Sequence, residues 1–322
     1  MTEPRQIQDA AMTLRAPRDA GEVSSLAWSL DGNSLAVGFE RGLILIWDGQ
    51  GRAARHRGPY LTNGSWVMSL AWSPDGGALA AATSSGKLYI FDTGTWIAAS
   101  STPVAGASLR RVAWRPGAAD ELAVTDHEGN VAVCTRYCRV LRTLKTGLED
   151  QRGLVWLGGR HLAVGGAGTK GRSNLAIFDP DSGARFELRG HRDKVLALAA
   201  PPATDLLASG TDDSIRIWSA LDGRPLRILE GHTGAVYSLT FSADGLFLAS
   251  SSQDDTVRLW RTDSWEAVAV LIAEGTHNPV VAKRRGSVGL MLRPPRQQRN
   301  ATARFEQLVR HPLLRSGALA VS

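Results

Sequence analysis

The chain has 322 residues, of which 43% are hydrophobic and 21% charged, with a formal net charge of +6. This composition excludes wholesale disorder, and the length accommodates two average domains or one large closed β architecture. Two cysteines exclude a disulfide framework, and no apolar run approaches the roughly 20 residues of a membrane-crossing helix, so no membrane association is expected.

In chain order, the first twenty residues carry charges throughout and lack the apolar stretch of a signal peptide, which points to a cytoplasmic protein. The N-x-S/T triplets at Asn63 and Asn300 then read as chance. After a short strand in AAMTLRAP, a pattern starts at Val23 and recurs six times. VSSLAWSLDG, VMSLAWSPDG, LRRVAWRPGA, RGLVWLGG, VLALAAPPA and VYSLTFSADG align on Trp28, Trp72, Trp114, Trp156, Ala200 and Phe241, in steps of 44, 42, 42, 44 and 41 residues. Each copy is followed by a second apolar segment (NSLAVGF, GALAAATS, DELAVTD, RHLAVGG, DLLASGT, LFLASSS) and a third (LILIWD, KLYIFD, NVAVCT, NLAIFD, SIRIWS, TVRLWR). A fourth, more polar strand fills each gap, as in VLRTLKTG and PLRILEGH.

These segments are short, rich in Val, Ile, Leu and aromatics, and bounded by Gly, Asp, Ser or Pro, which is the signature of strand and turn. Ile215 and Ile217 alternate with Ser214 and Arg216, so one face of the strand is apolar and the other polar. A four-stranded unit near 42 residues is too small to bury its own faces; it becomes stable by stacking on like units, and a ring of them is a propeller.

These residues make the chain resemble the WD40-repeat proteins over roughly residues 10 to 275. The dipeptide that names the family stands at Trp47-Asp48, with aromatic variants at Phe91-Asp92 and Phe178-Asp179, and its Gly-His at Gly190-His191 and Gly231-His232. The pattern departs in blade three, where Cys134 occupies the tryptophan slot, and in blade four, where GGAGTKGRS lengthens a turn. The fold this implies is an all-β propeller of four-stranded antiparallel blades, six of them clear and a seventh degenerate or incomplete, with six blades in total as the alternative.

The resemblance also assigns two sets that imitate catalytic triads to a structural hydrogen-bond network: His191, Ser209, Asp212 and Trp218 in blade five, and His232, Ser250, Asp254 and Trp260 in blade six. A buried imidazole between a carboxylate and a hydroxyl locks a turn, and a set that occurs twice is not one active site. Cys134 and Cys138 lack the further donors a metal needs. In GGAGTKGRS, Lys170 follows Thr169 rather than glycine and no helix pattern comes after, so it is not a phosphate loop. No catalytic residue, metal or cofactor is expected, and the chain reads as a non-enzyme.

Propellers of this family bind partners on the face where the innermost strands begin. Counting back six and four residues from each aligned position gives Glu22 and Ser24, Trp66 and Met68, Ser108 and Arg110, Asp150 and Arg152, Lys194 and Leu196, Ala235 and Tyr237. SWVMSLAW is similar to the corresponding blade of heterotrimeric G-protein β subunits, where these positions contact partners. Aromatic and sulfur side chains among cations suit a protein-binding hot spot. The expected partner-binding residues are Trp66, Met68, Arg110, Asp150, Arg152, Lys194 and Tyr237.

The polar outer strand occurs seven times, first in AAMTLRAP and last in EAVAVLIAEG, so the N-terminal strand is expected to close the ring of a propeller spanning 1–275. The seventh inner strands are then sought in ARFEQLVRHP and GALAVS, an incomplete blade over 303–322 with an unpaired edge, preceded by a basic insert or loop over 276–302. Residues 276–322 hold nine Lys or Arg against one acidic residue, and the first 275 hold 28 against 30, so the excess positive charge belongs to the tail. The functional expectation is a non-catalytic scaffold for protein partners in a multiprotein assembly. The alternative is nucleic-acid or anionic-surface binding through the basic segment 283–299.

Overall fold

The computed structural model describes residues 5–6, 12–15, 19–48, 60–168, 173–201, 204–212, 214–242, 244–272, 280–284, 287–292 and 302–305. Its described residues form strands and turns, with no helix. Six four-stranded antiparallel blades follow in order. Blade one comprises Val23–Trp28, Ser34–Phe39, Leu43–Asp48 and Tyr60–Leu61; blade two Val67–Trp72, Ala78–Thr83, Lys87–Asp92 and Ala98–Pro103. Blade three comprises Leu109–Trp114, Glu121–Asp126, Asn130–Thr135 and Val140–Lys145; blade four Leu148–Leu157, His161–Gly168, Leu175–Phe178 and Arg185–Glu187. Blade five comprises Ala197–Ala199, Leu206–Gly210, Ile215–Ser219 and Pro225–Leu229; blade six Val236–Phe241, Phe247–Ser252, Thr256–Arg261 and Ala267–Ile272, with Arg5–Gln6 added in parallel at its outer edge.

The core lies between blades rather than within them. Ala36, Ile44 and Ile46 of blade one share a cluster with Val67, Leu79 and Phe91 of blade two, and Leu157, Leu175 and Ile177 of blade four share one with Val195, Leu207 and Trp218 of blade five. Each blade therefore buries its apolar faces only when its neighbours are present. Two kinds of contact fasten the joints. Indole N–H groups of Trp72, Trp114 and Trp156 donate to Ala27, Ala71 and Ala113 of the preceding blade at 2.9, 2.9 and 3.1 Å. Gly38 receives Val67 so closely that a Cβ there would stand 2.5 Å from its Cγ1.

Turns repeat as the strands do. Ser29, Ser73 and Ser242, which follow the first strands, each donate to an aspartate two residues on (Asp31, Asp75, Asp244) and accept from the first residue of the second strand. The aspartates of Phe91-Asp92 and Phe178-Asp179 cap the last turn of their blades: Asp92 accepts from the Thr95 N–H at 2.8 Å and Asp179 from the Asp181 N–H at 2.9 Å.

A seventh sheet closes the ring. Its strands are Val280–Arg284, Ser287–Leu292, Thr302–Phe305 and, on the outside, Met12–Arg15, which pairs antiparallel with Thr302–Phe305. Val280–Arg284 neighbours the first strands of both blade six and blade one. This differs from the sequence reading, which sought the blade over 303–322 and left 276–302 as insert: two of the four strands lie inside that segment. The cause is charge, because Lys283, Arg284 and Arg285 mask a strand-forming run of Val280, Val281, Val288, Leu290 and Leu292. Of ARFEQLVRHP the first three residues belong to a strand, and the rest of it, like GALAVS, lies outside the described residues. Half of the basic segment 283–299 is thereby built into the ring, and residues 293–299 lie outside the described residues.

Candidate functional site

The first strands begin with an irregularity. Val23 pairs with Phe39 and Ser25 with Gly38, so Ser24 has no residue opposite it; the pairing skips Met68, Arg110 and Tyr237 in the same way. In blade four the skipped stretch is Asp150 to Arg152. A bulge of this kind removes one residue from the alternation and re-aims its side chain. The outcome is a channel of about 540 Å³, lined by one residue at this level from each of the six blades: Ser24, Met68, Arg110, Arg152, Leu196 and Tyr237. Trp66 stands at its rim, 41% exposed. Two residues further along five of these strands, Leu26, Leu70, Leu154, Leu198 and Leu239 add apolar surface to a lining that also takes in Ser25, Ser69, Arg111 and Ser238.

Of the seven residues expected to bind a partner, five thus line the channel. The other two, Asp150 and Lys194, join the charged half of its mouth. Asp150 holds a left-handed backbone, φ 42°, a conformation Asp tolerates better than most residues. Its Oδ1 is 3.2 Å from Arg110 Nε, and its Oδ2 is 3.2 Å from Arg152 Nε and bonded to Lys194 Nζ. His127, which the sequence did not single out, lies 3.0 Å from Arg110 Nη2 and 3.7 Å from Asp150 Oδ1. Arg111 donates through Nε to the Arg152 carbonyl at 2.8 Å and ties blades three and four together. Burial, and then the Arg110 charge, lowers the Lys194 pKa; burial, and then Arg152, lowers that of Arg110. Trp66 and Met68 of blade two and Tyr237 of blade six flank this charged arc with apolar surface.

The two triad-like sets differ. In blade six the chain of bonds is complete: Trp260 Nε1–H donates to Ser250 Oγ at 2.9 Å, Ser250 Oγ lies 2.7 Å from His232 Nε2, and His232 Nδ1 lies 2.9 Å from Asp254 Oδ2. Burial opposes ionisation of Asp254, but hydrogen bonds from His232, Thr256 and the Thr233 N–H outweigh it and hold the carboxyl well below the usual range. In blade five, Trp218 donates to Ser209 at 2.7 Å and Ser209 lies 2.5 Å from His191 Nε2. Asp212 departs from expectation: it is exposed, and its charge bears on Lys194. The stretch from Ser209 to Trp218 is one residue shorter than that from Ser250 to Trp260, and its residue 213 lies outside the described residues. The glycine of Gly231-His232 has its own cause: at φ 140° its missing Cβ leaves space for the Arg258 guanidinium, whose Nη1 would be 2.5 Å away.

Cys134 and Cys138 are buried free thiols, and burial pushes Cys134 up to about 12. Among the described residues no group of three or more His, Cys, Asp or Glu side chains is placed to hold a metal ion, and no helix is long and apolar enough to cross a membrane. Residues 169–172 of GGAGTKGRS lie outside the described residues.

Residues 10–48, 57–92, 184–219 and 223–261 match the family described as WD domain, G-beta repeat. The chain is similar to Protein HIR1 of Mycosarcoma maydis, 32% identical over 140 residues that cover 43% of this chain and 13% of that protein. It is 39% identical to the nuclear distribution protein nudF of Aspergillus flavus over 94 residues, 28% of this chain and 21% of the other. With nudF 2 of Aspergillus clavatus the identity is 37% over 170 residues, 51% and 33% of the two chains. The matches span no more than 33% of the length of any of these three relatives. Four matched repeats, on a ring whose remaining blades carry the same unit, make this chain a WD-repeat protein.

Proposed function

We propose that the protein is a non-catalytic scaffold that holds a protein partner across the mouth of its channel. WD-repeat proteins generally act as protein-interaction scaffolds. The observation that carries the reading to this chain is the bulge at the start of the inner strands, which brings apolar, aromatic and cationic side chains from separate blades to one opening. Such a mixture on a rigid frame is what hot spots are made of. The polar groups that imitate a catalytic triad are spent on one another in blade six, which supports a binding role over a chemical one. Two buried free thiols fit a cytoplasmic setting.

The test is affinity capture from the native source with Trp66→Ala and Arg152→Glu. Both side chains are at least 40% exposed, so the melting temperature is expected to stay at the wild-type value. Hot-spot losses of about 2 kcal/mol or more correspond to a roughly thirtyfold drop in affinity, so partner recovery should collapse in each variant. Unchanged recovery in both, at unchanged melting temperature, would reject the proposal.

A further inference from the structure

The charged half of the channel mouth is not neutral. Arg110, Arg152 and Lys194 surround the carboxylate of Asp150, and Asp212 acts on Lys194 from further out, so three cations face two carboxylates and positive charge is in excess. The pairing is also incomplete in geometry: Arg110 Nε and Asp150 Oδ1 are 3.2 Å apart and buried, and neither completes a hydrogen bond. The cations are only partly covered, with side-chain exposures of 22% for Arg110, 40% for Arg152 and 26% for Lys194, so they remain open to the outside. On either side of this arc stand Trp66 and Met68 of blade two, next to blade three, and Tyr237 of blade six, next to blade five.

We propose that the partner's contact is an acidic segment of a protein, whose Asp or Glu carboxylate sits beside Asp150 on Arg110, Arg152 and Lys194 while neighbouring apolar side chains pack on Trp66 and Met68 to one side and on Tyr237 to the other. Guanidinium groups suit a carboxylate in a fork geometry, and Asp150 already holds the three cations facing one point, so the second anion finds them oriented. The field of the excess charge favours encounter with an acidic segment and disfavours a basic one. This rests on the scaffold reading above and adds the chemistry of what is bound.

The experiment measures fluorescence anisotropy with the full chain and three labelled octapeptides: one alternating Glu with Leu, its Gln-for-Glu counterpart, and its phosphoserine-for-Glu counterpart. The Glu peptide is expected to bind, more weakly as salt rises, and the Gln peptide about tenfold less tightly or worse. Arg152→Gln and Lys194→Gln should each weaken the Glu peptide about tenfold, as loss of one charge-assisted contact does, with melting temperature unchanged. If either variant melts early, the other and the Gln peptide still decide the matter. Equal binding of the Glu and Gln peptides, or binding of neither, overturns the inference, and so does binding of the phosphoserine peptide alone. Capture that is lost in Trp66→Ala while the Glu peptide stays silent rejects only the acidic segment; capture unaffected by Trp66→Ala and Arg152→Glu rejects the scaffold reading itself.

Discussion

The side chains that look most like chemistry in this chain serve the fold. With Asp254 ionised it can only accept, so His232 Nδ1–H donates to it, while Ser250 Oγ meets His232 Nε2 and accepts from the Trp260 indole N–H. Each polar group in a nearly sealed position thus has a partner, and the second and third strands of blade six are locked to the turn that precedes the blade. The residue types of this chain of bonds are legible in sequence, because they recur with the repeat. The exposed place of Asp212 is not, because two aspartates stand side by side in a stretch one residue shorter than its counterpart, and composition does not tell them apart. A pH dependence follows from Asp254. An unfolded aspartate titrates near pH 3.9, and the folded carboxyl titrates below that, so between the two values only the unfolded chain takes up the proton. The stability Asp254 contributes is therefore fully present above about pH 5 and is lost as pH falls through that window. In urea titrations Asp254→Asn should be less stable than wild type at pH 6, and the gap should narrow at pH 3. Parallel losses for the two proteins would show that the carboxylate is not what the network depends on.

At the level of strands, the bulge explains why the innermost strand breaks the two-residue rule. Val23 and Leu26, Val67 and Leu70, Leu109 and Val112, and Val236 and Leu239 are each three apart, yet both members of every pair are buried. In a regular strand a spacing of three would send them to opposite faces; one unpaired residue between them restores the face and frees itself to point into the channel. The spacing was visible in the sequence, but alternation alone could not say which of the two intervening residues would be set free. Arg111 and His127 escaped notice for a related reason, since neither occupies the counted positions and only the ring brings them to the mouth. The buried first residue of each pair also seats the blade against the one before it, as Val67 does on Gly38. Gly38→Ala should therefore cost about 1–3 kcal/mol by overpacking. Val67→Ala, which removes the obstructing methyl groups, should make the double variant more stable than the sum of the single losses implies. Strict additivity in a denaturation double-mutant cycle would mean that the joint does not rest on this contact.

For the whole molecule, a ring whose core lies between blades leaves two apolar faces uncovered if any one blade is missing, and closure becomes a condition for the rest. The closing blade here is assembled from both ends of the chain: three strands lie beyond residue 279, and the fourth is Met12–Arg15. Six blades were legible because each repeats an apolar pattern, and so was the N-terminal strand, which continues the series of polar outer strands. The inner strands of the seventh were not, because basic residues crowd the two apolar runs and removed the contrast on which periodicity depends. Thr13 and Arg304 stand directly opposite in the closing pair, where antiparallel Cα atoms are about 4.5–5.5 Å apart, within the span a disulfide bridges. Thr13→Cys with Arg304→Cys should thus cross-link on oxidation, and Cys134, buried with a thiol pushed up to about 12, should not compete. A covalent loop this long restricts the unfolded chain strongly, with a ceiling of about 5 kcal/mol, so the oxidised protein should melt well above its reduced form and migrate as a compact monomer without reductant. A pair that stays reduced under conditions that oxidise accessible thiols, or an oxidised form that melts lower, would place the N-terminal strand elsewhere than the edge of the seventh blade. With the cross-link in place, binding of the alternating Glu–Leu peptide should persist at temperatures where the reduced ring opens, because the mouth exists only while all inner strands stand side by side.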